Sequence, residues 1–147
     1  MLCFYSIDSP TLEKEIHEAR GITKSVAIRS LVTSIARDLY EIITSHEDLD
    51  TTYHKDFDMN FDAYIDPIYE VVYNHNDPWI WETSTDDMKE LAHKHPEIEF
   101  ILSTTDIDTN EEWREFFKDD KYAISYCHKV FDAAPTWSNT SFEDTDE

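Results

Sequence analysis

Between Glu97 and Asp132, short apolar runs suited to strands alternate with dense clusters of carboxylates, so any fold of this chain has to bury the first without burying the second. Ile98, Phe100 and Leu102 alternate with Glu99, Ile101 and Ser103, the two-residue period of a strand with a buried face. Asp106, Asp108, Glu111, Glu112, Glu115, Asp119 and Asp120 then fall within fifteen residues, relieved only by Arg114 and Lys118. Like charge at this density destabilises a compact state by self-repulsion, which points to a use for the charge.

The charge is also segregated. Residues 1–46 carry six acids and five bases, whereas residues 47–147 carry twenty-seven acids and seven bases, so almost all of the net charge of −21 lies in the second part. Adaptation to high salt would spread acid over the whole surface, and the partition argues against it. Apolar residues make up 40% of the chain and aromatics 14%, enough for a core despite the charge. A length of 147 residues fits one domain. We expect it over residues 1–134, with a near-neutral helical part (1–46), an acidic part carrying the sheet (47–134), and an acidic tail (135–147).

Gly21 is the only glycine. Phosphate-cradling loops need several glycines for close backbone approach, so a Walker loop, a dinucleotide fingerprint and a G-x-S-x-G elbow are all absent. Cys3 and Cys127 are too few for a disulfide framework. Residues 1–8 contain no apolar signal-peptide core, and charges interrupt the longest apolar segment, so the expectation is a reduced, cytoplasmic protein that does not span a membrane.

In chain order, Leu2 to Ile7 suits a short strand. Ser9 and Pro10 open a helix that runs to about Ala19. Thr23 is the expected cap of a second helix, about Lys24 to Ser45, whose stripe of Ile28, Leu31, Val32, Ile35, Leu39, Ile42 and Ile43 follows helical spacing. That stripe is read as core, because a dimer seam would last longer and carry regular flanking charges. In residues 46–66, Tyr53, Phe57, Phe61 and Tyr64 recur among Asp56, Asp58, Asp62 and Asp66, which fits a short helix or an aromatic-pinned loop equally. Ile68 to Tyr73 (IYEVVY) is β-rich and is read as a strand. Trp79 and Trp81 flank Ile80 in an extended piece, and Ser84 or Thr85 caps a helix over Asp86 to His95 that Pro96 stops. In the EEWREFF run Trp113, Phe116 and Phe117 also suit a helix, but the run is read as a strand because Lys118-Asp-Asp-Lys121 suits a hairpin into a last strand over residues 122–127. The fold class expected is α+β, with N-terminal helices packed on a mainly antiparallel sheet.

Candidate chemical motifs fail on spacing. Asp106-x-Asp108-x-Asn110 opens like a calcium loop, but Glu111 stands where glycine is required and Phe117 where the bidentate glutamate belongs. His93-x-His95 does not share a helical face. His46-Glu47 lacks a second zincin histidine. Cys127 and His128 would point to opposite faces of a strand, so Cys127 is read as a buried thiol. No cofactor, metal or catalytic set is expected.

From Ile68 onward the order is a strand, the Trp79–Trp81 connection, a helix ending Leu91 to Pro96, the strand Glu97-Ile-Glu-Phe100, an acidic loop, and Glu111-Glu-Trp113 through Lys121. This succession resembles the ferredoxin-like domain of small phage- and plasmid-encoded proteins, over about half of the chain. Where that family commonly has glycines, this chain has Asp106 to Glu112 and Asp119-Asp120. The resemblance implies a mobile-element origin and an antiparallel, ferredoxin-like sheet with helices on one face; it brings no catalytic residues.

Direct binding of nucleic acid is opposed by electrostatics, since duplex DNA carries one negative charge per roughly 1.7 Å of axis. The expectation is the converse, a non-enzymatic nucleic-acid mimic whose carboxylates occupy the basic channel of a nucleic-acid-binding protein. The resemblance suggests a host defence nuclease, a CRISPR effector or a restriction enzyme. Its expected contact residues are Asp106, Asp108, Glu111, Glu112, Trp113, Glu115, Asp119 and Asp120, with Asp56, Asp58, Asp62 and Asp66, in a monomer or homodimer. The alternative is a small hydrolase or ligand-binding protein with a carboxylate site.

Overall fold

In a computed structural model of the protein, the residues described here are 1–47, 49, 52–53, 67–74 and 76–127. Strand β1 (Cys3–Asp8) is followed by four helices: α1 (Pro10–Glu18), α2 (Ile22–Thr44), α3 (Pro67–Val72) and α4 (Ser84–Lys94). Strands β2 (Glu99–Asp106), β3 (Glu112–Lys118) and β4 (Lys121–Tyr126) complete the sheet. The strand order is β1-β2-β3-β4, and every neighbouring pair is antiparallel.

One face of the sheet is buried. Tyr5, Thr104 and Trp113 are aligned across β1, β2 and β3, as are Ile7, Leu102 and Glu115, and Phe100 is aligned with Phe117. The alternation buries Cys3, Tyr5 and Ile7 in β1 and Phe100, Leu102, Thr104 and Asp106 in β2. α1 packs on β2, α3 on β1, and α4 on β2 and β3, while α2 touches all three other helices. The expected α+β class with an antiparallel sheet is what the chain forms.

Helix starts follow local chemistry. The Ser9 hydroxyl accepts from the Leu12 amide at 3.3 Å and Pro10 occupies the first turn of α1. α2 begins at Gly21 (φ 83°), two residues before the expected Thr23 cap, and makes no side-chain cap bond. Its core face is Val32, Ile35, Ala36, Leu39, Ile42 and Ile43, whereas Ile28 and Leu31 are only half-buried. The cap of α4 is Thr83, one residue before Ser84.

The strand expected over residues 68–73 is a helix, α3. Its apolar residues serve either period, because Ile68, Val71 and Val72 also fall at i, i+3 and i+4 and are all buried on one side. Tyr69 and Tyr73 stack one turn apart with ring centroids 5.4 Å apart. A six-residue helix cannot stand alone, and side chains from elsewhere complete its C-terminus. The Tyr53 hydroxyl donates to the Val71 carbonyl at 2.8 Å, and Trp79 Nε1–H to the Val72 carbonyl at 3.1 Å. Propensity favoured a strand; packing between α2 and β1 decided for a helix.

That change alters the topology. A ferredoxin-like domain runs β-α-β-β-α-β, whereas among the described residues all four helices lie between β1 and β2 in the chain and β2, β3 and β4 follow as a meander. The helical excursion returns to β1 through an aromatic cluster. Trp79 pairs with Cys3 at the free edge of β1, by N–H···O bonds of 3.0 and 3.1 Å. Trp79 and Trp81 stack 5.2 Å apart, and Tyr5 meets both edge-on at 5.1 and 5.3 Å. The Tyr5 oxygen accepts from the Trp81 amide at 3.2 Å. Burial pushes the phenols of Tyr5 and Tyr53 well above the ordinary tyrosine range, so both stay protonated donors.

Trp79→Phe keeps an aromatic ring but strands the Val72 carbonyl, so we expect a loss of about 1–3 kcal/mol, the cost of an unsatisfied buried polar group. Trp79→Ala should cost about 3–5 kcal/mol. Urea denaturation of both variants measures this; equal midpoints for wild type and Trp79→Phe would show that the bond to α3 is not needed.

Candidate functional site

The acids around β3 do not form one patch. β3 spans seven residues at about 3.4 Å each, which puts its two ends roughly 20 Å apart. Asp108, Glu111 and Glu112 are exposed at the β2–β3 turn, and Asp119 and Asp120 are exposed at the β3–β4 hairpin. Trp113 is half-buried between them.

Asp106 and Glu115 were expected on the contact surface, but both are buried. The alternation that reads β2 and β3 as strands carries the reason: Asp106 continues the series Phe100, Leu102, Thr104, and Glu115 lies between Trp113 and Phe117. Both therefore point to the core face, a signal present in the sequence but masked by the acidity around it. Asp56, Asp58, Asp62 and Asp66 lie outside the described residues, as do Phe57, Phe61, Tyr64 and the tail.

Asp106 organises the turn that carries the exposed acids. Its Oδ1 accepts from the Asp108 amide at 2.9 Å, and its carbonyl accepts from the Asn110 amide at 2.8 Å. Its own amide donates to the Glu111 carbonyl at 2.9 Å. The Ile107 amide donates to the Leu2 carbonyl at 3.2 Å, tying the turn to the start of β1. Asn110 has φ 58° and Asp119 has φ 54°. With one glycine in the chain, left-handed backbone at both turns falls to Asn and Asp, the non-glycine types that best tolerate it.

Glu115 gathers three donors. Thr85 Oγ1 donates to Oε2 at 2.6 Å, the Tyr122 hydroxyl donates to Oε2 at 2.9 Å, and Trp113 Nε1–H donates to Oε1 at 3.2 Å. This carboxylate joins β3 to α4 and β4. Desolvation, and then the bond to Glu115, raise the Tyr122 phenol to about 12. Lys89 Nζ sits 4.8 Å above the same ring.

Asp87, in the first turn of α4 and not among the expected contact residues, is a third buried carboxylate. Trp81 Nε1–H donates to its Oδ2 at 2.6 Å, Thr83 Oγ1 to the same oxygen at 2.8 Å, and His46 Nε2 lies 2.7 Å from Oδ1. His95 Nε2 lies 2.8 Å from Asp38, and His93 Nδ1 lies 3.6 Å from Asp119. His93 and His95 thus serve different elements, as expected of residues two apart on a helix. Among the described residues the ion pairs are all between a carboxylate and a histidine, so no lysine or arginine there neutralises a neighbouring acid at contact distance.

Cys127, expected to be buried, is exposed, because it lies just past the end of the edge strand β4. Cys3 is the buried thiol, and desolvation raises its pKa. Among the described residues no group of three metal-ligating side chains converges, and no helix is long and apolar enough to cross a membrane. The face of the sheet opposite the core holds an open depression of about 510 Å³. Its floor is the cross-strand row Ser6, Ser103, Arg114, Ser125, flanked by Asp8 and Glu112.

No protein-family model matches the chain, and neither the curated proteins nor the solved structures yield a match.

Two outcomes test these roles. Asp106→Ala should destabilise the protein by about 1–2 kcal/mol and speed amide exchange at Asp108 and Asn110, while Asp108→Ala stays within about 0.5 kcal/mol of wild type. Hydrogen exchange with urea denaturation separates them, and equal effects would remove the organising role of Asp106. For Tyr122, a phenol raised in the folded state stabilises fully below the unfolded value near 10. That contribution is lost as pH rises through about 12. Ultraviolet difference titration of wild type against Tyr122→Phe should show one tyrosine ionising near 12, and Glu115→Gln should lower that value.

Proposed function

We propose that the protein is a non-enzymatic nucleic-acid mimic that inhibits a basic nucleic-acid-binding protein by occupying its binding channel. The carrying observation is the β2–β3 turn, where Asp108, Glu111 and Glu112 stand exposed on a backbone held by Asp106, with no cation in contact among the described residues. Rigid placement lowers the ordering cost of binding. Carboxylates fixed in this way present to a basic groove what phosphates present, and complementary potentials speed association. Asp119 and Asp120, at the other end of β3, supply a second acidic point on the same frame. A target among host defence nucleases, restriction enzymes or CRISPR effectors, and a phage or mobile-element source acting in the host cytoplasm, extend this reading from the resemblance of residues 68–128.

Replacing Asp108, Glu111 and Glu112 by Asn or Gln should weaken binding to such a nuclease about tenfold and flatten its salt dependence, with the fold unchanged. Replacing Glu13, Glu15 and Glu18 in the near-neutral part should do much less. The measurement is competition: the protein should displace duplex DNA from a purified restriction or CRISPR nuclease, less effectively as salt rises. Equal losses from both sets would reduce the effect to net charge, and no displacement from any such nuclease would overturn the mimic reading.

A further inference from the structure

Among the described strands β4 is the one without a carboxylate; its sequence, KYAISY, carries a single lysine in a chain of net charge −21. Among the described residues it is also an edge of the sheet. The other edge, β1, is partly covered by the Cys3–Trp79 pairing, but no described strand lies beyond β4. Along β4 the alternate residues Tyr122, Ile124 and Tyr126 are 41%, 41% and 59% exposed. Soluble proteins usually protect such an edge with proline, a bulge or inward-facing charge; β4 has only Lys121 at its start.

We propose that β4 pairs with β4 of a second copy of this chain about a two-fold axis at Ile124, giving a homodimer with one continuous antiparallel sheet. The backbone supports that register. The Cys127 amide donates to the Glu112 carbonyl at 2.9 Å, so the odd-numbered residues of β4 direct their polar groups toward β3. By the alternation of an antiparallel ladder, Tyr122, Ile124 and Tyr126 direct theirs outward. An axis at Ile124 sets Ile124 against Ile124, and Tyr122 against Tyr126 on either side, each pair exchanging main-chain bonds.

Side chains agree with the same register. The exposed Tyr and Ile side chains meet their own kind on one face, and Ala123 meets Ser125 on the other. Lys121 falls beside Cys127 of the second copy, in the row that holds its Glu112, so a lysine rung faces a glutamate rung at both ends. Tyr122 is already held in place by Glu115 and Lys89. An interface of one strand pair is small, so the dimer is a weak one. Because each copy carries −21, added salt should tighten it by screening repulsion, the opposite of the response expected for a basic target.

The test is sedimentation equilibrium of the full chain at about 100 μM, where a micromolar dimer shows twice the chain mass. Rising salt should increase the dimer fraction, and Ile124→Lys should give a single-chain mass. Tyr126→Lys serves as the second variant if Ile124→Lys unfolds. In a Cys127→Ser background, Ile124→Cys should form a disulfide-linked dimer under mild copper–phenanthroline oxidation, while Ser103→Cys should not. A single-chain mass for wild type at every salt concentration overturns the proposal. So does a dimer that survives both edge variants, or one that fails to cross-link through residue 124.

Discussion

A buried carboxylate is tolerated only where donors converge on it, since a polar group taken out of water without hydrogen-bond partners is costly. Asp87 and Glu115 meet that condition with three side-chain partners each, and the architecture hangs on how they meet it. Asp87 draws in His46 from beyond α2, Trp81 from the connection to α4 and Thr83 from the α4 cap. Glu115 draws in Thr85 from α4 and Tyr122 from β4. Asp106 uses main-chain amides to shape the β2–β3 turn. These acids act as internal joints rather than contact groups, and the surface is left to the acids that no donor recruits.

The helical layer depends on a second kind of joint. α3 is short and β-branched, and it persists because Tyr53 and Trp79 donate to the carbonyls at its end while Ile68, Val71 and Val72 are buried. Trp79 also closes the edge of β1 and stacks on Trp81. One tryptophan therefore caps a helix through its indole N–H, pairs with a strand through its main chain and fills the core.

The charge segregation and the fold divide the labour between them. The near-neutral first part supplies β1, α1 and most of the helical packing, and the acidic part supplies the meander with its turns. Exposed acids collect at turns because the strands between them bury every second residue. Self-repulsion is eased by distance, with the two acidic turns at opposite ends of β3. The carboxylate-free β4 is then the edge where another chain meets least repulsion.

Local signals by themselves determined β1, α1 with its Ser9 cap, the long α2 and α4 by apolar period, and the three C-terminal strands with the Lys118–Lys121 hairpin, because each is specified by residues within one or two turns of one another. They also determined that the charge lies in the second part. Tertiary structure alone decided the state of residues 68–73, where Ile68, Val71 and Val72 satisfy both the strand and the helix period and donors distant in sequence break the tie. It likewise decided which carboxylates find partners inside: strand alternation already places Asp106 and Glu115 on the core face, but only folding brings Thr85, Trp113 and Tyr122 to Glu115 and Trp81 to Asp87. A count of charges along the chain cannot show that, since whether a carboxylate is buried depends on the donors that folding gathers around it.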